Sequence, residues 1–159
     1  MAARLTYEQV QDLYRQYGPA LLAYGTSLLA DRAAAEDVLH QIFLKLLGMR
    51  QLPEDPRPYL FKAVRNRALN AMRNSARLTS LDGKEWLMKP PGMADAGLEV
   101  EKAMHELPPE QREVVVMRIW GEMALTEIAV VLEISENTVA SRYRYALNRL
   151  RALLKEELR

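Results

Sequence analysis

The sequence of 159 residues contains no cysteine and only two histidines, His40 and His105. The absence of cysteine excludes a disulfide framework, a thiol nucleophile and any cysteine-ligated zinc or iron–sulfur site. Two histidines are too few for a histidine-rich metal cluster. We therefore expect neither a bound metal nor a cofactor.

Long apolar segments are also absent. No run of eighteen or more apolar residues occurs, so no membrane-spanning helix is predicted. Residues Met1 to Thr6 have no long apolar core and no cleavage signature, so no secretory signal is visible. These features predict a cytoplasmic protein without membrane insertion.

The net charge is only +1, but the charges are unevenly distributed. Residues 57–77 and residues 137–155 carry arginines and lysines without any acidic residue, whereas the acidic residues collect mainly between Glu99 and Glu136. Two basic helices on a nearly neutral chain are typical of two DNA-contacting surfaces. Two solvated helix faces would give the same pattern.

The hydrophobic periodicity predicts an all-α fold, because no alternating run is long enough for a strand. In the N-terminal half we expect four helices. The first two cover residues 7–16 and 19–29 and are separated at Gly18-Pro19. The third is capped by Asp31 and ends near Leu47, and the fourth runs from Pro56 to about Arg77. Residues 78–97 contain Asp82-Gly83 and Pro90-Pro91-Gly92 without a clean period, which predicts a flexible linker. In the C-terminal half we expect helices over residues 98–106, 110–120, 125–132 and 136 to about 156.

Residues 125–151 have the spacing of a helix-turn-helix. The first helix carries an apolar face, Ile134 lies in the turn, and Ser135 is placed to cap the second helix. The start of the second helix is the part that enters the major groove in this motif. Its polar side chains are therefore the candidates for base and phosphate contacts: Glu136, Asn137, Thr138, Ser141, Arg142, Arg144 and Tyr145. A helical hairpin that never contacts DNA would share the pattern.

Three segments of the chain, in this order, resemble the extracytoplasmic-function sigma factors, the smallest members of the main bacterial sigma family. They are residues 13–47 (LYRQYGPALLAYGTSLLADRAAAEDVLHQIFLKLL), residues 57–77 (RPYLFKAVRNRALNAMRNSAR) and residues 107–151 (LPPEQREVVVMRIWGEMALTEIAVVLEISENTVASRYRYALNRLR). The resemblance implies two small helical domains, residues 1–77 and 98–159, joined by the linker 78–97. It also implies promoter-specific transcription initiation through binding to core RNA polymerase and two promoter elements.

The resemblance also implies roles for individual residues. The helix over 35–47 would bind the clamp coiled coil of the largest polymerase subunit through Asp37, Gln41, Leu44 and Lys45. The helix over 57–77 would hold the unpaired downstream promoter element through Tyr59, Lys62, Arg65, Asn66, Asn70 and Arg73. The helix-turn-helix would read the upstream element as duplex. Members of the family are commonly held inactive by an anti-sigma factor, so such a partner is expected here.

The chain departs from the family pattern at several positions. His40-Gln41 stands where the family often has Gln followed by Glu. Glu133 occupies a turn position usually held by glycine. Because positive φ is uncommon for a non-glycine residue, we expect the turn to be slightly strained or to have a different geometry. Ala140, Tyr145 and Leu147 stand where many relatives carry lysine or arginine. The recognition helix therefore has fewer basic residues than expected for tight DNA binding.

Two other functions remain open from the sequence. A stand-alone helix-turn-helix regulator would bind duplex DNA without joining polymerase, and a sigma-like decoy would sequester an anti-sigma factor without touching DNA. An enzymatic function has little support, because the acidic pairs Glu36-Asp37 and Glu54-Asp55 are explained by helix starts, where carboxylates favour the helix dipole. We therefore expect no enzymatic activity.

Overall fold

The computed structural model describes residues 4–75 and 98–157, all of whose regular structure is helical. The elements are α1 (Tyr7–Leu29), α2 (Arg32–Leu46), α3 (Pro56–Ser75), α4 (Leu98–Glu106), α5 (Pro109–Val115), a π-helical stretch (Val116–Trp120), α6 (Leu125–Leu132) and α7 (Glu136–Glu157). The prediction of an all-α fold is confirmed. The predicted linker, residues 78–97, lies outside the described residues, and the domain limits at 77 and 98 stay predictions.

Helix α1 is continuous, so the predicted break at Gly18-Pro19 is wrong. Thr6 and Gln9 form a capping box at its start, and the helix runs through Pro19 to a left-handed residue, Ala30, with φ 53°. A proline inside a helix removes one backbone hydrogen bond and costs about 3 kcal/mol. Burial of apolar side chains on both sides of Pro19, such as Val10 and Leu21, offsets this cost because both bury against one core.

Helices α2 and α3 pack on α1 to complete the N-terminal half. The predicted cap of α2 is confirmed, since Asp31 Oδ1 accepts a hydrogen bond of 3.0 Å from the backbone N–H of Ala34. Helix α3 begins at Pro56, as predicted. Its buried residues recur on one helical face and fill the space between α1 and α2; they are Leu60, Phe61, Val64 and Ala68.

Helices α4 to α7 form the C-terminal half, in which α7 packs on α4, α5 and α6. The α4–α5 turn is closed by Arg112, whose guanidinium donates to the carbonyl oxygens of Met104, His105 and Leu107 over 2.8–2.9 Å. Burial lowers the pKa of Arg112 from its ordinary value. The helix-turn-helix is confirmed at α6 and α7, and Ser135 Oγ caps α7 by accepting from the backbone N–H of Thr138 at 3.1 Å.

The two halves pack against each other, with α3 on α6 and α1 on α5 and the π-helical stretch. The rings of Tyr24 and Phe61, whose centroids are 5.3 Å apart, lie at this boundary. Phe61 contacts Gly121, at the end of the π-helical stretch. Buried side chains of both halves therefore form one continuous hydrophobic core.

Candidate functional site

The predicted polymerase-binding residues all lie on the exposed face of α2. Asp37, Gln41, Leu44 and Lys45 point away from the core, and the side chain of Leu44 is 67% exposed. The opposite face of α2 is buried, so Leu44 is not needed to hold the helix on the domain. An exposed leucine among polar side chains is a chemically suitable contact for a partner protein, because it loses unfavourable hydration when it is covered.

A groove of about 490 Å³ runs between α2 and α3 and brings together most of the residues predicted to hold single-stranded DNA. Its polar lining consists of Lys45, Tyr59, Lys62, Asn66, Arg67 and Asn70. Cationic side chains neutralise backbone phosphates, and an aromatic ring can stack on an unpaired base. Arg73 lies exposed further along α3, outside the groove. Arg65 does not line the groove either.

Arg67 connects this groove with the predicted polymerase-binding face of α2. Its Nη1 donates a hydrogen bond of 2.9 Å to Gln41 Oε1, and it also lines a second groove of about 360 Å³ with Asp37, Asn70 and Asn74. The two predicted surfaces are therefore contiguous. The sequence interpretation placed Arg67 in a basic run but not among the site residues. Arg67 is four residues from Ala63 and three from Asn70, which both line the groove. This helical spacing was the available signal that Arg67 lies on the same face of α3.

Two of the six predicted strand-holding residues pair with carboxylates of the C-terminal half, and one of them, Lys62, also lines the groove. Arg65 Nε lies 2.7 Å from Glu113 Oε1, and Lys62 Nζ lies 2.9 Å from Glu133 Oε1. Burial opposes the charge on Arg65, but the adjacent Glu113 carboxylate outweighs that effect and raises the pKa of Arg65 above its ordinary value. The hydrogen bond and charge of Lys62 lower the pKa of Glu133. Both cations are thus neutralised by carboxylates in this arrangement.

The Tyr24 hydroxyl donates to the same oxygen of Glu113 that accepts from Arg65. Burial, reinforced by the Glu113 carboxylate, raises the pKa of Tyr24 well above its ordinary value. Sequence reasoning missed both Tyr24 and Glu113. The available signals were a tyrosine inside a buried apolar run and a carboxylate directly before the apolar residues 114–117.

The predicted duplex-reading residues lie at the start of α7. A shallow groove of about 380 Å³ is lined there by Asn137, Thr138, Ser141, Arg142 and Tyr145, together with Glu110 and Gln111 from the start of α5. Glu136 and Arg144 are exposed beside it, and the Arg144 guanidinium lies 5.4 Å from the centre of the Tyr145 ring. Glu110 and Gln111 were not predicted, because only the tertiary packing of α5 on α7 brings them there.

Comparison with known proteins gives the family. Residues 13–78 match the model of sigma-70 region 2, and residues 97–150 match that of sigma-70 region 4. The ECF RNA polymerase sigma factor SigL of Mycobacterium tuberculosis is 30% identical over 91% of this chain and 88% of its own length. This chain belongs to the extracytoplasmic-function sigma factors.

Solved structures of sigma factors have the same fold. The sigma factor RpoE from Bartonella quintana, solved in complex with the anti-sigma factor NepR, aligns with a TM-score of 0.71 over 93% of this chain and 98% of that chain, at 22% identity. CnrH, solved in complex with the cytosolic domain of CnrY, aligns with a TM-score of 0.64 over 95% of this chain and 90% of its own, at 26% identity. The matches to sigma-70 regions 2 and 4 and to SigL confirm the prediction that this chain is an RNA polymerase sigma factor.

Two further features are absent from the residues that the structure describes. No helix in residues 4–75 and 98–157 is long and apolar enough to cross a membrane. In the same residues no three histidine or acidic side chains are grouped so that they could hold a metal ion.

Proposed function

We propose that this sigma factor binds the clamp coiled coil of core RNA polymerase through α2, the unpaired downstream promoter element through the α2–α3 groove, and the duplex upstream element through the start of α7. The observation that carries the proposal is the exposed face of α2, where Leu44 lies among Asp37, Gln41 and Lys45. This face adjoins the groove through the Gln41–Arg67 hydrogen bond. A polymerase subunit on α2 would therefore stand next to a strand in the groove.

The α2–α3 groove supports binding of unpaired rather than paired bases. Tyr59 offers an aromatic ring, and Asn66 and Asn70 offer amide donors and acceptors for base edges that are free only in a separated strand. Lys45 and Arg67 supply charge for the phosphates. Binding the separated strand better than duplex shifts DNA toward the melted state, without any covalent step.

The start of α7 supports contact with duplex DNA. Asn137, Ser141 and Arg142 line one shallow groove, and Arg can contact guanine while Asn and Ser can contact bases or phosphate. Glu110 and Gln111, at the start of α5, widen this surface. Few of its residues are basic, so we expect weak duplex binding by the isolated protein and promoter binding only together with polymerase.

An anti-sigma factor is the expected regulator. Support comes from the similar fold of the sigma factor RpoE, whose structure was solved in complex with the anti-sigma factor NepR. On this chain the exposed apolar groove between α1 and α2, lined by Tyr7, Tyr14, Phe43 and Leu44, would suit an inhibitor that competes with polymerase.

Core polymerase binding tests the main proposal. The Leu44→Ala variant is expected to lose core binding by about fivefold or more, because truncation of a central apolar contact costs more than about 1 kcal/mol. Val130→Ala is the matched control, since Val130 is also an exposed apolar residue, at 62%, but lies on α6. Pull-down and run-off transcription with core enzyme give the readouts.

The same measurements separate the alternatives. Failure of the folded wild-type protein to bind core enzyme would sink the proposal and favour the stand-alone regulator, provided that the protein binds duplex DNA tightly alone. Core or anti-sigma binding without promoter-dependent transcription would favour the decoy. Equal loss in Leu44→Ala and Val130→Ala would contradict the assignment of the interface to α2.

A further inference from the structure

The boundary between the two halves contains a buried carboxylate whose hydrogen-bond partners both lie in the other half. Glu113, on α5, is 7% exposed. It accepts from the hydroxyl of Tyr24 on α1 and from Arg65 on α3, which are 89 and 48 residues away in the chain. Since a buried charge without a partner is strongly unfavourable, Glu113 requires either this packed arrangement or access to water.

A second pair lies at the exposed edge of the same boundary. Lys62 pairs with Glu133, whose side chains are 39% and 73% exposed. Glu133 lies in the turn of the helix-turn-helix, with φ 57°. The C-terminal half thus presents one carboxylate to each of two neighbouring cations of α3. These are cations that the proposed function assigns to the strand-holding surface.

The polar contacts between the halves contribute only modestly to the free energy of closing. Phe61 packs on Gly121, and Arg57 Nη1 donates to the Glu122 carbonyl oxygen at 3.2 Å. An exposed ion pair contributes little. A buried pair gains little over its solvated state, because desolvation opposes the attraction. A ligand that binds the open arrangement better can therefore shift the equilibrium toward it.

We infer that the packed arrangement is a self-inhibited resting state, in which Glu113 and Glu133 of the C-terminal half neutralise Arg65 and Lys62 and so withhold two phosphate-binding cations from single-stranded DNA. The inference rests on the proposed function, because it takes Lys62 and Arg65 as strand-binding residues. Separation of the halves exposes both cations. The N-terminal half therefore cannot bind a negatively charged strand while the two halves are packed together.

The arrangement is tested first in the full-length protein. Because the sequence has no cysteine, cysteines introduced at the exposed positions Gln16 and Asn148 can carry two labels without background. The wild type is expected to give one narrow distance distribution. The Glu113→Ala/Glu133→Ala variant is expected to give a broader and longer one. A wild-type distribution as broad as that of the variant overturns the inference.

Single-stranded DNA binding tests the masking itself. The probe is a short fluorescein-labelled single strand of mixed sequence, titrated at several salt concentrations. Each phosphate contact to single strands adds about 0.7 to the slope of log affinity against log salt. The Glu113→Ala/Glu133→Ala variant, with two cations released, should therefore show a slope steeper by about 1.4 and roughly tenfold tighter binding.

A charge-matched control separates unmasking from a general change of charge. The Glu8→Ala/Glu106→Ala variant also removes two carboxylates, both exposed and both away from the boundary. An equal slope in the two double variants overturns the inference. Glu133→Ala alone, at an exposed position, should release Lys62 and steepen the slope by about 0.7 without threatening the fold.

Failure of the inference is distinguishable from failure of the proposed function. Asn66 and Asn70 line the groove outside the boundary between the halves. If Asn66→Ala/Asn70→Ala weakens single-strand binding while the salt slopes of the glutamate variants equal the control, the groove holds the strand and the masking is wrong. If the asparagine substitutions have no effect, the strand-holding role itself fails and the inference falls with it.

Discussion

The ring of Phe61, on α3, packs against Gly121 so closely that a Cβ atom at Gly121 would lie 2.9 Å from Phe61 Cζ. The same Cβ would lie 2.5 Å from the carbonyl oxygen of Met117. The φ of Gly121 is −79°, which any residue can adopt. Glycine is therefore required here for space and not for conformational freedom, and this space is where α3 meets the C-terminal half.

Gly121→Ala is expected to lower the free energy of unfolding by about 1–3 kcal/mol, as overpacking of a well-packed site does. Urea unfolding followed by circular dichroism measures this. Gly48→Ala is the control, because its Cβ would meet only the Lys45 carbonyl oxygen, at an ordinary 3.5 Å. The control should change stability by less than about 1 kcal/mol. Equal stability of the two variants would mean that Phe61 and Met117 move aside freely.

Two substitutions of Ser135 can distinguish its effect on stability from its effect on DNA binding. Ser135→Ala removes the hydrogen bond from the Thr138 N–H and should cost about 1 kcal/mol in urea unfolding. Ser135→Asp keeps an acceptor at the cap and should retain wild-type stability within about 0.5 kcal/mol. The added negative charge should still weaken binding to duplex DNA roughly fivefold, because it lies where phosphate is expected. Unchanged DNA affinity of Ser135→Asp would argue against a groove contact at this end of α7.

Local signals made much of the fold predictable from the sequence. Asp31 and Ser135 are capping residues whose hydrogen bonds depend only on their own turn, and both caps were predicted correctly. The family resemblance led us to expect a strained or different turn at Glu133, and the structure gives this residue a φ of 57°. The limits of α4 and α6 follow from short-range periodicity and were predicted as observed.

The errors and omissions have a non-local origin. Pro19 lies inside α1 because tertiary burial on both sides outweighs a local breaking signal, and no pattern within the segment expresses that balance. A helix was expected over residues 110–120, and the π-helical form of its last part, before Gly121, was not predicted. Arg65 and Lys62 were assigned through the family resemblance, whereas their carboxylate partners come from the other half of the chain. Only the packing of α3 on the C-terminal half shows which carboxylates pair with Arg65 and Lys62.

Substitution of Glu133 measures the cost of its left-handed backbone. Glu133→Gly and Glu133→Ala both remove the carboxylate that pairs with Lys62, but only glycine adopts φ 57° without strain. The glycine variant is expected to be more stable than the alanine variant by about 1 kcal/mol. Urea unfolding of the pair gives the difference. An alanine variant as stable as the glycine variant would show that the turn relaxes to negative φ.

The raised pKa of Tyr24 leads us to expect that the free energy of unfolding falls at alkaline pH. Its pKa in the folded protein is raised above the ordinary value of 10.0, first by burial and then by Glu113. The unfolded chain therefore releases this proton at lower pH than the folded chain. The resulting stabilisation is fully present below about pH 10 and is lost as the pH rises beyond it.

Above pH 10 the free energy of unfolding of the wild type should fall by up to about 1.4 kcal/mol per pH unit more steeply than that of Tyr24→Phe, which keeps the ring but has no ionisable group. At neutral pH the variant should be less stable by about 1 kcal/mol, since the hydrogen bond to Glu113 is lost. Tyr7→Phe is the control, because Tyr7 is 72% exposed and should leave the alkaline slope unchanged. Equal slopes for wild type and Tyr24→Phe would show that Tyr24 is open to water, and hence that the two halves are not held together at Glu113.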